Sequence, residues 1–281
     1  MHPAKFTVTP LHRSSSAYRL PAALRAKGVT LQCKNDRVIV RVPDGATCDA
    51  PLVLRATSSM LHIDVAVGKR ALFHVVLVVP QGTQTVVEQT ATVADAGAMH
   101  WHTLLLGSDV RHTGVSTLQG PRASASADVL CYAHAKERQQ TDVHNRFRAA
   151  DGGGTITITG VAEQQAHVRC NGMIDIGLAG RGTDTFLTEE VLMLDPSACV
   201  DAVPGLEIRT NDVKASHSAT VSRVSGEDLF YFASRGIDER AARQMFVEGF
   251  LRHALQRIPG TTLQQELAEM IVAKYRNVKK I

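Results

Sequence analysis

The stretch PGLEIRTNDVKASHSATVSRVSGEDLFYFASRGIDERAARQMFVEGF, residues 204–250, holds the change of period that decides the fold. Leu206 and Ile208 alternate with Glu207 and Arg209, the period of a strand. Asn211-Asp212 is turn chemistry. Val213, Ala215, His217, Ala219 and Val221 then share one face of an extended segment, while Lys214, Ser216, Ser218 and Thr220 share the other. This places His217 among small and apolar neighbours, on the face expected to be buried. At Ser225 the pattern turns helical. Ser225 is a good N-cap, and Asp228 can bond back to it. Arg235-Gly236 is a stop, with Gly236 suited to the left-handed position after a helix. Asp238 caps a second helix expected to run to about Ile258.

Upstream of this stretch the period is two. Val38 to Val42 reads as a strand ended by Pro43-Asp44-Gly45, and Leu61, Ile63, Val65 and Val67 form another. Phe73, Val75, Leu77 and Val79 follow, stopped by Pro80-Gln81-Gly82. Further short strands centre on Val86, Trp101, Val115, Val129, Val143, Ile156, Val168, Ile174 and Leu192, with Gly-rich turns between them. Such a run of strands without a helix is long for a sandwich, which leaves a barrel or a stacked solenoid. No strict repeat chooses between the two. Small residues such as Ala123, Ala125, Ala127 and Ala133 suit the inside of tight coils.

Downstream, Phe246, Phe250, Ala254 and Ile258 fall four apart beside Val247, Leu251 and Leu255, one apolar stripe of a helix. Pro259-Gly260 ends it, and Thr262 with Gln265 reads as a capping box for a last helix bearing Leu263, Leu267, Met270 and Ile271. Such a hairpin must bury its faces on itself, on the end of the β domain or on a partner. The domains are therefore an irregular arm over 1–28, a β core over 29–224 and a helical unit over 225–281. Residues 18–26 form a short helical candidate broken by Pro21.

The opening stretch resembles the SufB/SufD family of iron–sulfur cluster assembly scaffolds. The residues that carry the resemblance are Leu206-Glu207-Ile208, Asp212-Val213-Lys214, Ser216-His217, Ala219-Thr220, Leu229-Phe230-Tyr231, Ser234-Arg235-Gly236-Ile237 and Glu248-Gly249-Phe250. Relatives of the SufD kind carry Cys and Gly where this chain has Ala215 and Ser218, and the family's large N-terminal helical region has no room here. The resemblance implies a mainly β fold, a right-handed parallel β-helix followed by a C-terminal α-helical hairpin. It implies a scaffold that is not itself an enzyme, a SufC-like ABC ATPase as partner, and a transient iron–sulfur cluster as cargo. His217 would be a cluster and metal ligand. Cys170 and Glu207 are the candidates to join it, Cys170 having a small buried hydrophobe as its alternative reading. Phe230, Tyr231, Arg235, Gly236, Ile237, Glu239 and Phe250 would meet the ATPase. The last strands would pair with a second copy or with a SufB/SufD-like paralogue.

Composition narrows the rest. A net charge of +4 with dispersed basic residues and 5% aromatics gives neither the basic face nor the stacking platforms of a nucleic-acid binder. No apolar run is long enough to span a membrane. Five cysteines, with no C-x-x-C pair, argue against a disulfide framework and a structural zinc site, and suit a reducing, cytoplasmic compartment. The first 35 residues contain no acid, which reads as an organelle presequence or as a plain basic arm. His100-Trp101-His102 points two imidazoles the same way along a strand. A β-helical or cupin-like metalloenzyme built on His100 and His102 is one rival function, although the Glu such a site needs is absent nearby; another is a degenerate paralogue that binds the ATPase but no cluster, which Ala215 makes credible. No P-loop and no G-x-S-x-G elbow occurs.

Overall fold

The computed structural model describes residues 9–10 and 20–278. The presequence reading, over the first 35 residues, falls in part on residues outside this range. Among the described residues the strands are β1 (Thr9–Pro10), β2 (Thr30–Lys34), β3 (Arg37–Val42), β4 (Leu52–Arg55), β5 (Met60–Val67), β6 (Leu72–Val79), β7 (Gln84–Val93), β8 (Ala98–Leu105), β9 (Asp109–Leu118), β10 (Ser124–Ala133), β11 (Arg138–Phe147), β12 (Gly153–Ala162), β13 (His167–Ile176), β14 (Thr183–Met193), β15 (Cys199–Ala202), β16 (Gly205–Ile208) and β17 (Val213–Arg223). Helix α1 (Ala22–Ala26) precedes the coils, and α2 (Gly226–Ser234), α3 (Glu239–Leu255) and α4 (Thr261–Val278) follow them.

Strands alternate between two sheets. One has the order β1-β4-β6-β8-β10-β12-β14-β17, and the other β15-β13-β11-β9-β7-β5-β3-β2, with β16 also on β13. Every pairing is parallel except β2 with β3. This is a parallel β-solenoid of about six turns, the solenoid rather than the barrel. Leu72 pairs with Ala98, Ala98 with Ser124, Ser124 with Gly153 and Gly153 with Asp184. The coil lengthens along the chain, so no fixed period is legible.

Inward residues stack from coil to coil. Leu52, Val75, Trp101, Ala127, Ile156 and Leu187 form one buried column. Ala123, Ala125, Ala127 and Ala133 all lie in this interior, as their size suggests. One corner is also a column. Arg70, Ala96, Arg122 and Asp151 sit at φ 51, 50, 56 and 59, a left-handed conformation that costs a non-glycine residue energy. Each offers its amide to the next coil's corner, Arg70 to Asp95 O at 2.9 Å and Asp151 to Arg181 O at 2.8 Å, so backbone pairing holds the strained turns.

The helices bear out the caps read at Ser225 and Asp238. The Asp228 amide donates to Ser225 Oγ at 3.1 Å, Ala241 N to Asp238 Oδ1 at 2.8 Å, and Gly236 has φ 78. Helix α4 begins at Thr261, so Thr262 lies inside its first turn rather than capping it. Helix α1 starts just after Pro21, and Leu24, 1% exposed, enters the interior, so the arm contributes a core residue.

The hairpin of α3 and α4 covers the outer face of the first sheet, the flank of the solenoid rather than its end. Val247, Leu251, Leu255, Leu263, Leu267 and Ile271 pack there on Val76, Val78, Leu104, Leu130, Tyr132 and Leu192. Strands β6, β8 and β10 are thus buried on both faces, which explains their unbroken buried runs and, in β6, the apolar run Val75–Val79. Lys274 pins α4 to this flank. It is fully buried, and its Nζ donates to Leu106 O at 2.8 Å, Tyr132 O at 2.6 Å and Glu137 Oε2 at 2.7 Å.

Candidate functional site

The last coil of the solenoid is open. On β17, His217 stands opposite Leu187 and Ala219 opposite Glu189 of β14, so the alternation read from sequence points the right way, along the inward columns. The expected burial does not follow. His217 and Ala219 are exposed, and Val221 is 46% exposed, because no further coil lies over them. The other edge of β17 pairs with no strand among the described residues. The same end and the helix after it carry Leu178, Val203, Ile208, Phe230 and Tyr231, all large and apolar and all exposed.

Behind this mouth the interior changes character. Glu189 is fully buried and is the inward neighbour diagonal to His217. Its Oε1 accepts from the Gly172 amide at 2.6 Å, and the Val203 backbone also bears on the carboxylate. Burial pushes the carboxyl up to about 7. Gly172 is needed here, since a Cβ on it would lie 2.3 Å from Leu187 Cδ1. Cys170 and Cys131 are both buried in the same interior. The hydrogen bond between the two thiols, and then burial, raise the Cys170 thiol well above its ordinary range. Cys170 in this closed chain is therefore a protonated packing residue. Deeper still, Gln89 Oε1 accepts from Thr103 Oγ1 at 3.1 Å and meets His112 Nε2 at 2.6 Å, while His112 Nδ1 meets Thr141 Oγ1 at 2.7 Å. Burial lowers His112 to about 4 and keeps this ring neutral.

The three ligand candidates read from sequence are not brought together within one chain. His217 lies on the inward row of one sheet at the mouth. Cys170 lies inside on the other sheet. Glu207, on β16 opposite Asp175, is exposed, and Arg209 Nε donates to it at 3.0 Å. Sequence reading missed Glu189, although its alternation with Leu187 and Val191 already placed it inward.

His100 and His102 point the same way, as expected, here outward from the first sheet, and stack with His74 instead of converging. The ring planes of His100 and His102 are 10° apart with centroids at 6.4 Å, and His74 lies 4.6 Å from His100. His102 Nδ1 lies 3.2 Å from Asp128 Oδ2 but makes no hydrogen bond, and Asp128 is held by Arg257 at 3.1 Å. Burial, then the two neighbouring rings, lowers His74 to about 4. Among the described residues, the group whose ligand atoms all lie within 4.8 Å of one another is another one, His167, Cys199 and Asp201.

The residues assigned to an ATPase contact divide by exposure. Phe230 is 75% and Tyr231 57% exposed, with the Arg235 guanidinium 5.4 Å from the Tyr231 ring centre. Gly236 is exposed at the turn, Glu239 pairs with Arg243 at 2.9 Å, Ile237 is half-buried, and Phe250 packs against the hairpin core.

The family model described as SUF system FeS cluster assembly, SufBD core domain, matches residues 24–250. The chain belongs to the SufBD family. Among its relatives, proteins named as iron–sulfur cluster assembly SufBD family proteins in Staphylococcus saprophyticus, Staphylococcus haemolyticus and Staphylococcus aureus are 26%, 27% and 27% identical to it. Each alignment covers 80% of this chain and 50% of the relative, so this chain spans about half the length of those SufBD proteins. Membership supports a role in iron–sulfur cluster assembly. The matched region runs through α2 and most of α3, so the family core includes both the open coil and the helix with Phe230 and Tyr231. No helix among the described residues is long and apolar enough to cross a membrane.

Proposed function

We propose that this SufBD-family chain is a scaffold component of a SUF-type assembly complex and handles nascent iron–sulfur clusters at its open last coil. The observation that carries the reading is the exposed inward row His217, Ala219 and Val221, backed by the buried Glu189. A sheet edge with exposed apolar side chains is a template for a second protomer. A copy of this chain, or a paralogue, pairs along β17 and converts the open mouth into a closed chamber with ligands from both sides. His217 supplies a neutral imidazole, a good ligand for iron. Cys170 and Glu207 join it only after rearrangement or from the partner's side. The absence of a thiol at position 215 leaves a mixed nitrogen and oxygen set, which holds a cluster weakly and favours handing it on.

ATP hydrolysis belongs to a partner in this reading. Phe230 and Tyr231 form the apolar centre of an ABC-ATPase contact, with Arg235 and Glu239 at its rim and Gly236-Ile237 shaping the turn. The test is anaerobic reconstitution with iron and sulfide. The His217→Ala chain binds less iron per chain than wild type at unchanged folding. Equal iron per folded chain would remove His217 from the site.

A further inference from the structure

We infer that His167, Cys199 and Asp201 form a binding site for a divalent transition metal of the zinc or ferrous class, on the outer face of the second sheet and separate from the mouth. The site is built by register. β13 and β15 are parallel neighbours in which His167 pairs with Cys199 and Arg169 with Asp201. Cys199 and Asp201 alternate with Val200 and Ala202, so both point away from the interior, as does His167. His167 Nε2 already lies 2.9 Å from Asp201 Oδ2, and the Cys199 sulfur lies within 4.8 Å of both. In a tetrahedral site with ordinary metal–ligand lengths, neighbouring donor atoms are roughly 3.3–3.6 Å apart. Small side-chain rotations therefore bring all three onto one ion, which replaces the proton now shared by the imidazole and the carboxylate.

The donor set fixes the class. A thiolate with an imidazole and a carboxylate suits metals of intermediate softness and disfavours magnesium and calcium, which take oxygen alone. Three protein ligands leave a fourth position open toward solvent. Cys199 is exposed and in no disulfide, so the thiol is available. Arg169 stands opposite Asp201 in the ladder, and the Asp201 carboxylate pairs with His167.

The test is titration of the untagged, reduced chain with Co(II), followed by displacement with Zn(II). The expected result is a thiolate-to-cobalt charge-transfer band with the strong visible bands of a tetrahedral ion, saturating at one equivalent and bleached by zinc. Cys33→Ser, which removes the other exposed thiol, leaves the spectrum unchanged. Cys199→Ser abolishes the charge-transfer band. His167→Ala and Asp201→Asn each weaken binding about tenfold or more, since even outer partners of a metal are worth ~10–100-fold. All three positions are surface-exposed or half-buried, and an unchanged far-ultraviolet spectrum verifies the fold. A charge-transfer band that survives in Cys199→Ser, that vanishes in Cys33→Ser, or that is absent from wild type overturns the assignment.

Discussion

The two ends of the solenoid solve the same problem in opposite ways. At the first coils, α1 inserts Leu24, Leu20 and Val29 join the interior, and β2 turns back antiparallel on β3 to close the sheet. At the last coil no strand among the described residues is laid over β17, and an inward row that is buried in every earlier coil ends at an exposed histidine. The interiors differ in the same sense. Val38, Val40, Ile63 and Val65 line the early coils, whereas His112, Thr141, Cys170 and Glu189 lie toward the open end. A chain can lack a cap by accident, but an uncapped end with buried titratable groups behind it is the combination expected of a surface completed by a partner.

The largest effect expected from breaking this contrast lies on the covered flank. Lys274→Ala leaves the half-buried Glu137, and the carbonyls of Leu106 and Tyr132, without the ammonium beside α4 and should cost roughly 2–4 kcal/mol in urea unfolding. A loss under ~1 kcal/mol would mean that the helical hairpin is held by its apolar contacts alone. Next comes the closed end. Leu24→Ala opens a cavity under α1 and should cost roughly 2–4 kcal/mol, while Val221→Ala on the open strand should cost under ~0.5 kcal/mol in the single chain. Equal costs at the two positions would erase the distinction between the ends.

The third prediction sharpens the interior contrast through pH. Glu189 titrates at about 7 in the folded chain against an ordinary 4.5, so the native state holds a proton that the unfolded state has lost. Its contribution is therefore full below pH 4.5 and declines as pH rises through 7, by at most ~3 kcal/mol. His74 and His112 act in the opposite sense. With folded values near 4 against 6.5, they cost stability as pH falls from 6.5 toward 4. The Glu189 effect must then be read as a difference: Glu189→Gln gains on wild type between pH 5 and pH 8 in melting temperature. A constant difference over that range would mean that Glu189 holds no extra proton in the folded chain there.

Much of this was legible in the residues. The alternation of β17, the Ser225 and Asp238 caps, the stop at Gly236 and the small inward alanines are local signals, and local chemistry decided them. Burial of His217 was misjudged because alternation reports direction and says nothing about whether another coil follows. The flank docking of α3 and α4 was encoded in the runs Val75–Val79 and Val129–Tyr132, apolar on both faces, but a strand covered twice has no period that names its second partner. Glu189 was legible as an inward acid from its own alternation with Leu187 and Val191, whereas the group of His167, Cys199 and Asp201 depends on register between strands some thirty residues apart, which a lengthening coil hides.

The smallest effect on stability belongs to His217. At an exposed position, His217→Ala should shift unfolding by less than ~0.5 kcal/mol. The open coil itself is tested most directly by the mass of the chain in solution. Light scattering at micromolar concentration should give twice the 30.4 kDa of one chain, and Val221→Asp, placing a charge on the exposed inward row, should return it to one chain with an unchanged β spectrum. A wild-type chain that stays at 30.4 kDa under those conditions would contradict the account.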